Sequence, residues 1–163
     1  MVSTESRPTV VLAEDEPDIR EMLHCELAPL ELNLLEASDG EQALELIRTH
    51  SVDAVLTDIS MPKMNGIELI RAIRQLEYHF PVIVLTAFAD KTNTQEALRL
   101  GAFDFLEKPF QTQLLLQVVS RAVEEGKCLR QLERQTEGFA PLGPGLYEMA
   151  KMALKRNPSK KKS

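Results

Sequence analysis

No apolar run in this sequence is long enough to span a bilayer, and no apolar stretch follows a basic start at the N-terminus. A membrane-embedded or signal-directed protein is therefore not expected, and a soluble cytoplasmic one is. Cysteine is scarce as well. Cys25 and Cys128 stand alone in stretches that read as helices, so free thiols in a reducing compartment follow rather than a disulfide framework. Positive charge is short over most of the chain. Lys151, Lys155, Arg156, Lys160, Lys161 and Lys162 give residues 151–163 a charge of +6 with no acid, which leaves −12 for the rest of a chain whose total is −6. An acidic body argues against broad nucleic-acid contact through the main domain, because phosphate binding needs clustered cations. No internal repeat and no heptad array runs through the sequence.

What the chain does contain is an ordinary supply of core. Of its 163 residues, 44% are apolar, enough for one domain and a short extension. Short apolar runs alternate with amphipathic stretches, the rhythm of a parallel α/β sheet. The expected strands are Thr9–Ala13, Leu32–Ala37, Val52–Thr57, Pro81–Thr86 and Phe103–Glu107. PVIVLT at 81–86 is the most apolar of them, as suits a strand covered on both faces. Between them lie helices. The first starts at Pro17, carries Ile19, Met22, Leu23 and Leu27 on one face, and ends at Pro29. The second follows Ser38-Asp39-Gly40 and turns Ala43, Leu44 and Ile47 inward, and the third spans roughly 67–76. The fourth, roughly 92–100, is stopped by Gly101, and the last begins near Thr112.

In an open parallel sheet, ligands bind outside the carboxyl ends of the strands. The first strand delivers Glu14, Asp15 and Glu16 to that edge, the third Asp58, the fourth Thr86 and the fifth Lys108. Each has an ordinary structural explanation by itself: an aspartate after a strand caps or turns, and an acidic run before Pro17 favours a helix N-terminus. Thr86 can be a β-branched strand end and Lys108 a solvated charge. Their coincidence at four strand ends is harder to explain that way. Carboxylates converging from two strands repel one another unless a positive charge lies between them. A hard divalent cation with oxygen ligands, Mg2+ above all, answers that need, and Lys108 adds a second positive charge.

The segments VVLAEDEPDIREML, TDISMPKMNGIELI, PVIVLTA and LGAFDFLEKPF, spread over residues 8–123, resemble the receiver domain of two-component response regulators, the CheY-like fold. That resemblance implies a five-stranded doubly wound sheet of order 2-1-3-4-5 with helices on both faces. It implies that Asp58 is the phosphoacceptor, followed by the family's Pro62 and Gly66. Asp15 and Asp58 would ligate Mg2+ directly, with the backbone carbonyl of Ser60, while Glu14 would act through a metal-bound water. Lys108 would pair with the phosphoryl group, across a cis peptide to Pro109. Thr86 would move its hydroxyl to the phosphoryl group, and Phe105 would change its burial as that happens.

The implied chemistry is transfer from a phosphohistidine of a sensor histidine kinase or phosphotransfer protein to Asp58, by positioning and charge neutralisation, with slow self-catalysed hydrolysis afterwards. Two departures bear on the site. Glu14 stands where the family often has aspartate, and Ser60 and Phe88 flank the route of hydrolytic water, where they would modulate the lifetime of the phosphoryl group. Output is expected through protein–protein contact, with the face of the fourth helix, fifth strand and fifth helix as a docking or homodimer surface. One alternative is a receiver fragment of a longer regulator with a DNA-binding or enzymatic output domain. Another is a magnesium-dependent aspartyl-phosphate phosphatase of the haloacid dehalogenase type, but Ser60 stands where such enzymes carry their general acid.

The expected organisation is an N-terminal tail at 1–7, the receiver at 8–123, a helical continuation at 124–135, and an extension at 136–163. Val118, Ala122, Leu129 and Leu132 have heptad-like spacing, but Glu125 interrupts it beside Gly126, so a solvated helix end is expected. TEGFAPLGPG at 136–145 reads as a linker. Residues 146–157 could form a short basic amphipathic segment able to dock on the acidic domain, before a polar tail.

Overall fold

The pentapeptides TVVLA, NLLEA, AVLTD and VIVLT, with the shorter DFLE, recur between helix-forming stretches and build the parallel sheet. The computed structural model describes residues 6–87 and 91–135. The chain runs through β1 (Thr9–Ala13), α1 (Pro17–Glu26), a 3-10 turn (Ala28–Leu30), β2 (Asn33–Ala37), α2 (Gly40–Thr49) and β3 (Ala54–Asp58). It continues through α3 (Gly66–Gln75), β4 (Val82–Thr86), α4 (Lys91–Arg99), β5 (Asp104–Glu107) and α5 (Thr112–Gln135). All four pairings are parallel and the strand order is β2-β1-β3-β4-β5, as the resemblance implied.

Every residue of β3 and β4 is buried, and these strands open on the continuous apolar runs AVL and VIVL rather than alternating, turning polar only at their carboxyl ends with Thr57, Asp58 and Thr86. One face of the sheet packs Ala43 and Ile47 of α2, Leu69, Ile70 and Ile73 of α3, and Ala97 of α4. The other packs Leu23 of α1 with Leu115, Val119 and Ala122 of α5. Helix starts follow local chemistry. Pro17 opens α1, Asp39 Oδ1 accepts from the Gln42 amide at 2.7 Å to cap α2, and Asn65 Oδ1 accepts from the Glu68 amide at 2.8 Å to cap α3. Gly101 follows α4 at φ 82°. The Arg74 guanidinium donates to the carbonyls of Tyr78, Phe80, Leu100 and Gly101 at 3.0–3.2 Å, tying the end of α3 to the end of α4.

Three expectations are corrected. Met22 was expected on the inner face of α1 but is 45% exposed, because the buried positions are Leu23 and Leu27, four apart, and Met22 lies about 100° round from Leu23. The first helix stops at Glu26, and Pro29 lies inside the following 3-10 turn rather than ending the helix directly. The solvated end expected for the last helix begins later than Gly126, at about Gln131. Gly126 and Leu129 are buried, and a Cβ at Gly126 would collide with the Asp53 carbonyl oxygen. The unit holding the sheet is Met1–Leu129, and of the second unit, Arg130–Ser163, the described part is the end of α5. Phe88, most of the N-terminal tail, and the linker, amphipathic segment and basic tail at 136–163 lie outside the described residues.

Candidate functional site: an acidic crevice at the strand ends

β1 hands on directly to Glu14 and Asp15, and β3 ends on Asp58. The three carboxylates offer oxygen atoms that all lie within 4.8 Å of one another. β5 leads through Glu107 to Lys108, whose peptide bond to Pro109 is cis. The Lys108 ammonium donates to Asp58 Oδ2 at 2.7 Å and to Glu14 Oε2 at 3.2 Å, so it bridges two strand ends that sequence separates by 44 residues. The Ser60 amide donates to Asp58 Oδ1 at 3.2 Å, so each oxygen of Asp58 has a donor.

Charge is unevenly compensated here. Glu14 has no exposed surface and Asp58 is 8% exposed. Burial, the neighbouring charge of Asp58 and a hydrogen bond between the two push the Glu14 carboxyl up to about 7, against a weaker opposing pull from Lys108 and the Glu16 amide. Lys108 is raised from its ordinary value. Its own burial acts the other way and is outweighed by its hydrogen bond to Asp58 and the charges of Asp58 and Glu14. One ammonium facing three carboxylates leaves a deficit of positive charge. The donor set is entirely carboxylate oxygen, with Asp15 half-buried and open to solvent on one side, and it fits a small hard divalent cation that keeps part of its water shell.

Glu14, Asp15, Asp58 and Lys108 thus come together. Thr86 is buried at the end of β4, and its hydroxyl donates to the Ala87 carbonyl at 3.2 Å rather than to Asp58. Phe105 is half-buried against the α2–α3–α4 side of the sheet. β4 and β5 pair Val84 with Phe105 and Thr86 with Glu107, so Thr86 and Phe105 share one face, two residues apart along the strands. Arg20 was missed from sequence. From one turn inside α1 its guanidinium donates to the Glu14 carbonyl at 2.7 Å, holding the backbone where the acidic pair leaves β1. Its spacing after Pro17 was visible, but not the direction of its side chain.

A doubly wound parallel sheet with three carboxylates and a bridging lysine at its carboxyl edge defines a signalling receiver of the CheY-like class. The chain belongs to the response regulator receiver domain family of two-component systems, whose pattern matches residues 10–120. It is 43% identical over 102 residues to response regulator GtcR of Aneurinibacillus migulanus, covering 63% of this chain and 42% of that protein. It is 36% identical over 118 residues to response regulator protein PilR of Pseudomonas aeruginosa, covering 72% of this chain and 26% of that one. Among solved structures it is similar to the signal receiver domain of an HD domain-containing protein from Pseudomonas fluorescens Pf-5. There the TM-score is 0.70 at 31% identity, over 75% of this chain and 98% of that domain. The chain spans less than half the length of either curated relative. No helix among the described residues is long and apolar enough to cross a membrane.

Proposed function

We propose that this protein is a cytoplasmic phosphorylation switch in which Asp58 accepts a phosphoryl group from the phosphohistidine of a sensor kinase or phosphotransfer protein. The observation that carries this reading is the convergence of Glu14, Asp15 and Asp58 within 4.8 Å, bridged by Lys108 at 2.7 Å from Asp58. One Asp58 oxygen attacks phosphorus, the P–N bond breaks, and the imidazole nitrogen leaves with the electron pair. The product is an acyl phosphate on Asp58. Asp15, Asp58 and the Ser60 carbonyl would hold Mg2+, with Glu14 acting through water. When bound, the ion neutralises charge developing on the phosphoryl oxygens and helps align donor and acceptor. Lys108 exchanges its bond to the Asp58 carboxylate for one to a phosphoryl oxygen. Thr86 turns its hydroxyl from Ala87 toward the phosphoryl group, and Phe105, on the same sheet face, fills the space it leaves. Ser60 and Phe88 set the access of hydrolytic water.

Output passes through protein contact at the α4–β5–α5 face, which carries the 48%-exposed Leu98 and the Asp104–Arg121 pair at 3.3 Å, with self-association as one form of that contact. The small share of GtcR and PilR that the chain spans favours a second reading, a receiver that feeds an attached output region. The length of the native reading frame separates the two. The test of the site is incubation with acetyl phosphate and Mg2+ followed by intact mass. The wild type should gain one phosphoryl group and Asp58→Asn none, and undiminished labelling of Asp58→Asn rejects the assignment.

A further inference from the structure

The loop between β3 and α3 carries Ser60, and it is held from outside as well as from within. Its base is closed by the Gly66 amide, which donates to the Ile59 carbonyl at 2.8 Å, and by the Ile59 amide, which donates to Leu85 of β4 at 3.2 Å. Its tip is a three-residue turn: the Met64 amide donates back to the Pro62 carbonyl at 2.7 Å, with Lys63 between them at φ 65°. A γ-turn with positive φ at a residue bearing a side chain is the strained form. It persists only where its surroundings hold it.

The holding contact comes from the start of α2. The first backbone amides of a helix have no partner inside it. The Gly40 amide, at the first position of α2, donates to the Met64 carbonyl at 3.1 Å. Gly40 is buried, and a Cβ there would run into the Met64 carbonyl oxygen and come within 2.8 Å of Met64 Cβ and Cγ. Asp39, which caps the same helix, reaches the same turn through Lys63 at 3.6 Å. Nothing but hydrogen fits between α2 and the turn.

From this geometry we infer that Gly40 is a positioning residue for the phosphoacceptor pocket: the N-terminus of α2 latches the 62–64 turn and so sets where the Ser60 backbone stands beside Asp58. The inference rests on the function proposed above, because it gives the Ser60 carbonyl a place in the Mg2+ site. It makes two predictions in the full chain. Gly40→Ala should push the turn away and weaken Mg2+ binding by about tenfold or more, the range seen when outer-shell supports of a metal site are removed. Ile47→Val, seven residues further along α2 than Gly40, loosens α2 against the sheet while keeping the Gly40–Met64 backbone contact, and should leave Mg2+ affinity unchanged. By reciprocity, if the closed latch favours Mg2+, then Mg2+ favours the closed latch. In the wild type, saturating Mg2+ stabilises the whole fold, but it should slow hydrogen exchange at the Gly40 amide more than at the buried amides of β1, a difference that a glycine needed only for packing would not give.

Mg2+ affinity is read by calorimetry and exchange by NMR. A wild type that binds no Mg2+ overturns the parent reading and this one together. If the wild type binds and Gly40→Ala folds and binds equally well, the latch alone is rejected. Should Gly40→Ala fail to fold, the wild-type exchange measurement decides, and slowing at Gly40 no greater than at the β1 amides under saturating Mg2+ rejects the latch.

Discussion

Glu14 carries an ionisable carboxyl with no exposed surface, beside a second carboxylate, and one lysine 3.2 Å away is its main relief. Its folded-state pKa of about 7 against an ordinary 4.5 means that, with Mg2+ chelated, the folded protein holds a proton that the unfolded chain releases between those values. Stability then falls as pH rises through that window, by on the order of 3 kcal/mol for this group, since the folded state binds more protons. Removing the charge should relieve the cost. In EDTA at pH 8, Glu14→Gln is expected to unfold at a higher temperature than wild type, with the gap closing toward pH 5. Adding Mg2+ should reverse the order, because the amide is a poorer partner for the metal site. A Glu14→Gln variant no more stable than wild type in EDTA at pH 8 would mean that Lys108 already balances the buried charge. Glu14 and Asp58 were legible in the sequence because a strand end is a fixed place in this topology and a charged residue there has few reasons to be present. Arg20 and Gly40 were not, because what they do depends on a carbonyl contributed by backbone they do not adjoin or by another element.

At the scale of elements, α5 shows how tertiary contact overrides a local reading. Gly126 looked like a break in a helical pattern, yet the helix runs through it to Gln135, and the glycine is where α5 meets the start of β3. That end of β3 has little room to move. The Asp53 amide donates to the Thr9 carbonyl at 2.8 Å, and Asp53 Oδ2 accepts from the Thr9 amide at 2.8 Å. On the helix side, Leu115, Val118, Val119 and Ala122 are buried against the sheet, so α5 cannot lift away. Two effects compete in Gly126→Ala. Better helix propensity favours alanine by roughly 1 kcal/mol, whereas forcing a methyl into a packed contact costs about 1–3 kcal/mol or more. With the Asp53 carbonyl inside van der Waals range and backbone on both sides, the steric cost should win. A net loss of about 1–2 kcal/mol in urea unfolding is expected, and a gain in stability would show that α5 can shift after all. Met22 illustrates the same limit in reverse: its apolar character placed it on the core stripe, but the stripe of a ten-residue helix needs only Ile19, Leu23 and, just beyond its end, Leu27.

At the scale of the whole molecule, the sheet is the part that can connect the pocket to a distant face. The five strands and the helices between them could be read from the sequence because the apolar runs were short and separated by helical patterns, whereas the strand order and the two helical layers followed from the family resemblance. The pairing register could not be read from the sequence, and it is the register that brings Thr86 and Phe105 onto one face, through Val84 opposite Phe105 and Thr86 opposite Glu107. Under the proposed function, the Thr86 hydroxyl leaves the Ala87 carbonyl for the phosphoryl group in only one of two conformations. A hydrogen bond to a charged group contributes about 1.5–3 kcal/mol, enough to shift such an equilibrium on the order of ten- to a hundredfold. Thr86→Ala removes that contact and leaves Asp58, Asp15, Glu14 and Lys108 untouched. The variant should therefore take up one phosphoryl group from acetyl phosphate at close to the wild-type rate and fail to pass the change on. In the wild type, phosphorylation should alter amide exchange around Phe105 and along α4. In Thr86→Ala those changes should shrink to a small fraction while exchange beside Asp58 still responds. If the changes around Phe105 are as large in the variant as in the wild type, the signal leaves the pocket by some route other than the β4–β5 pair.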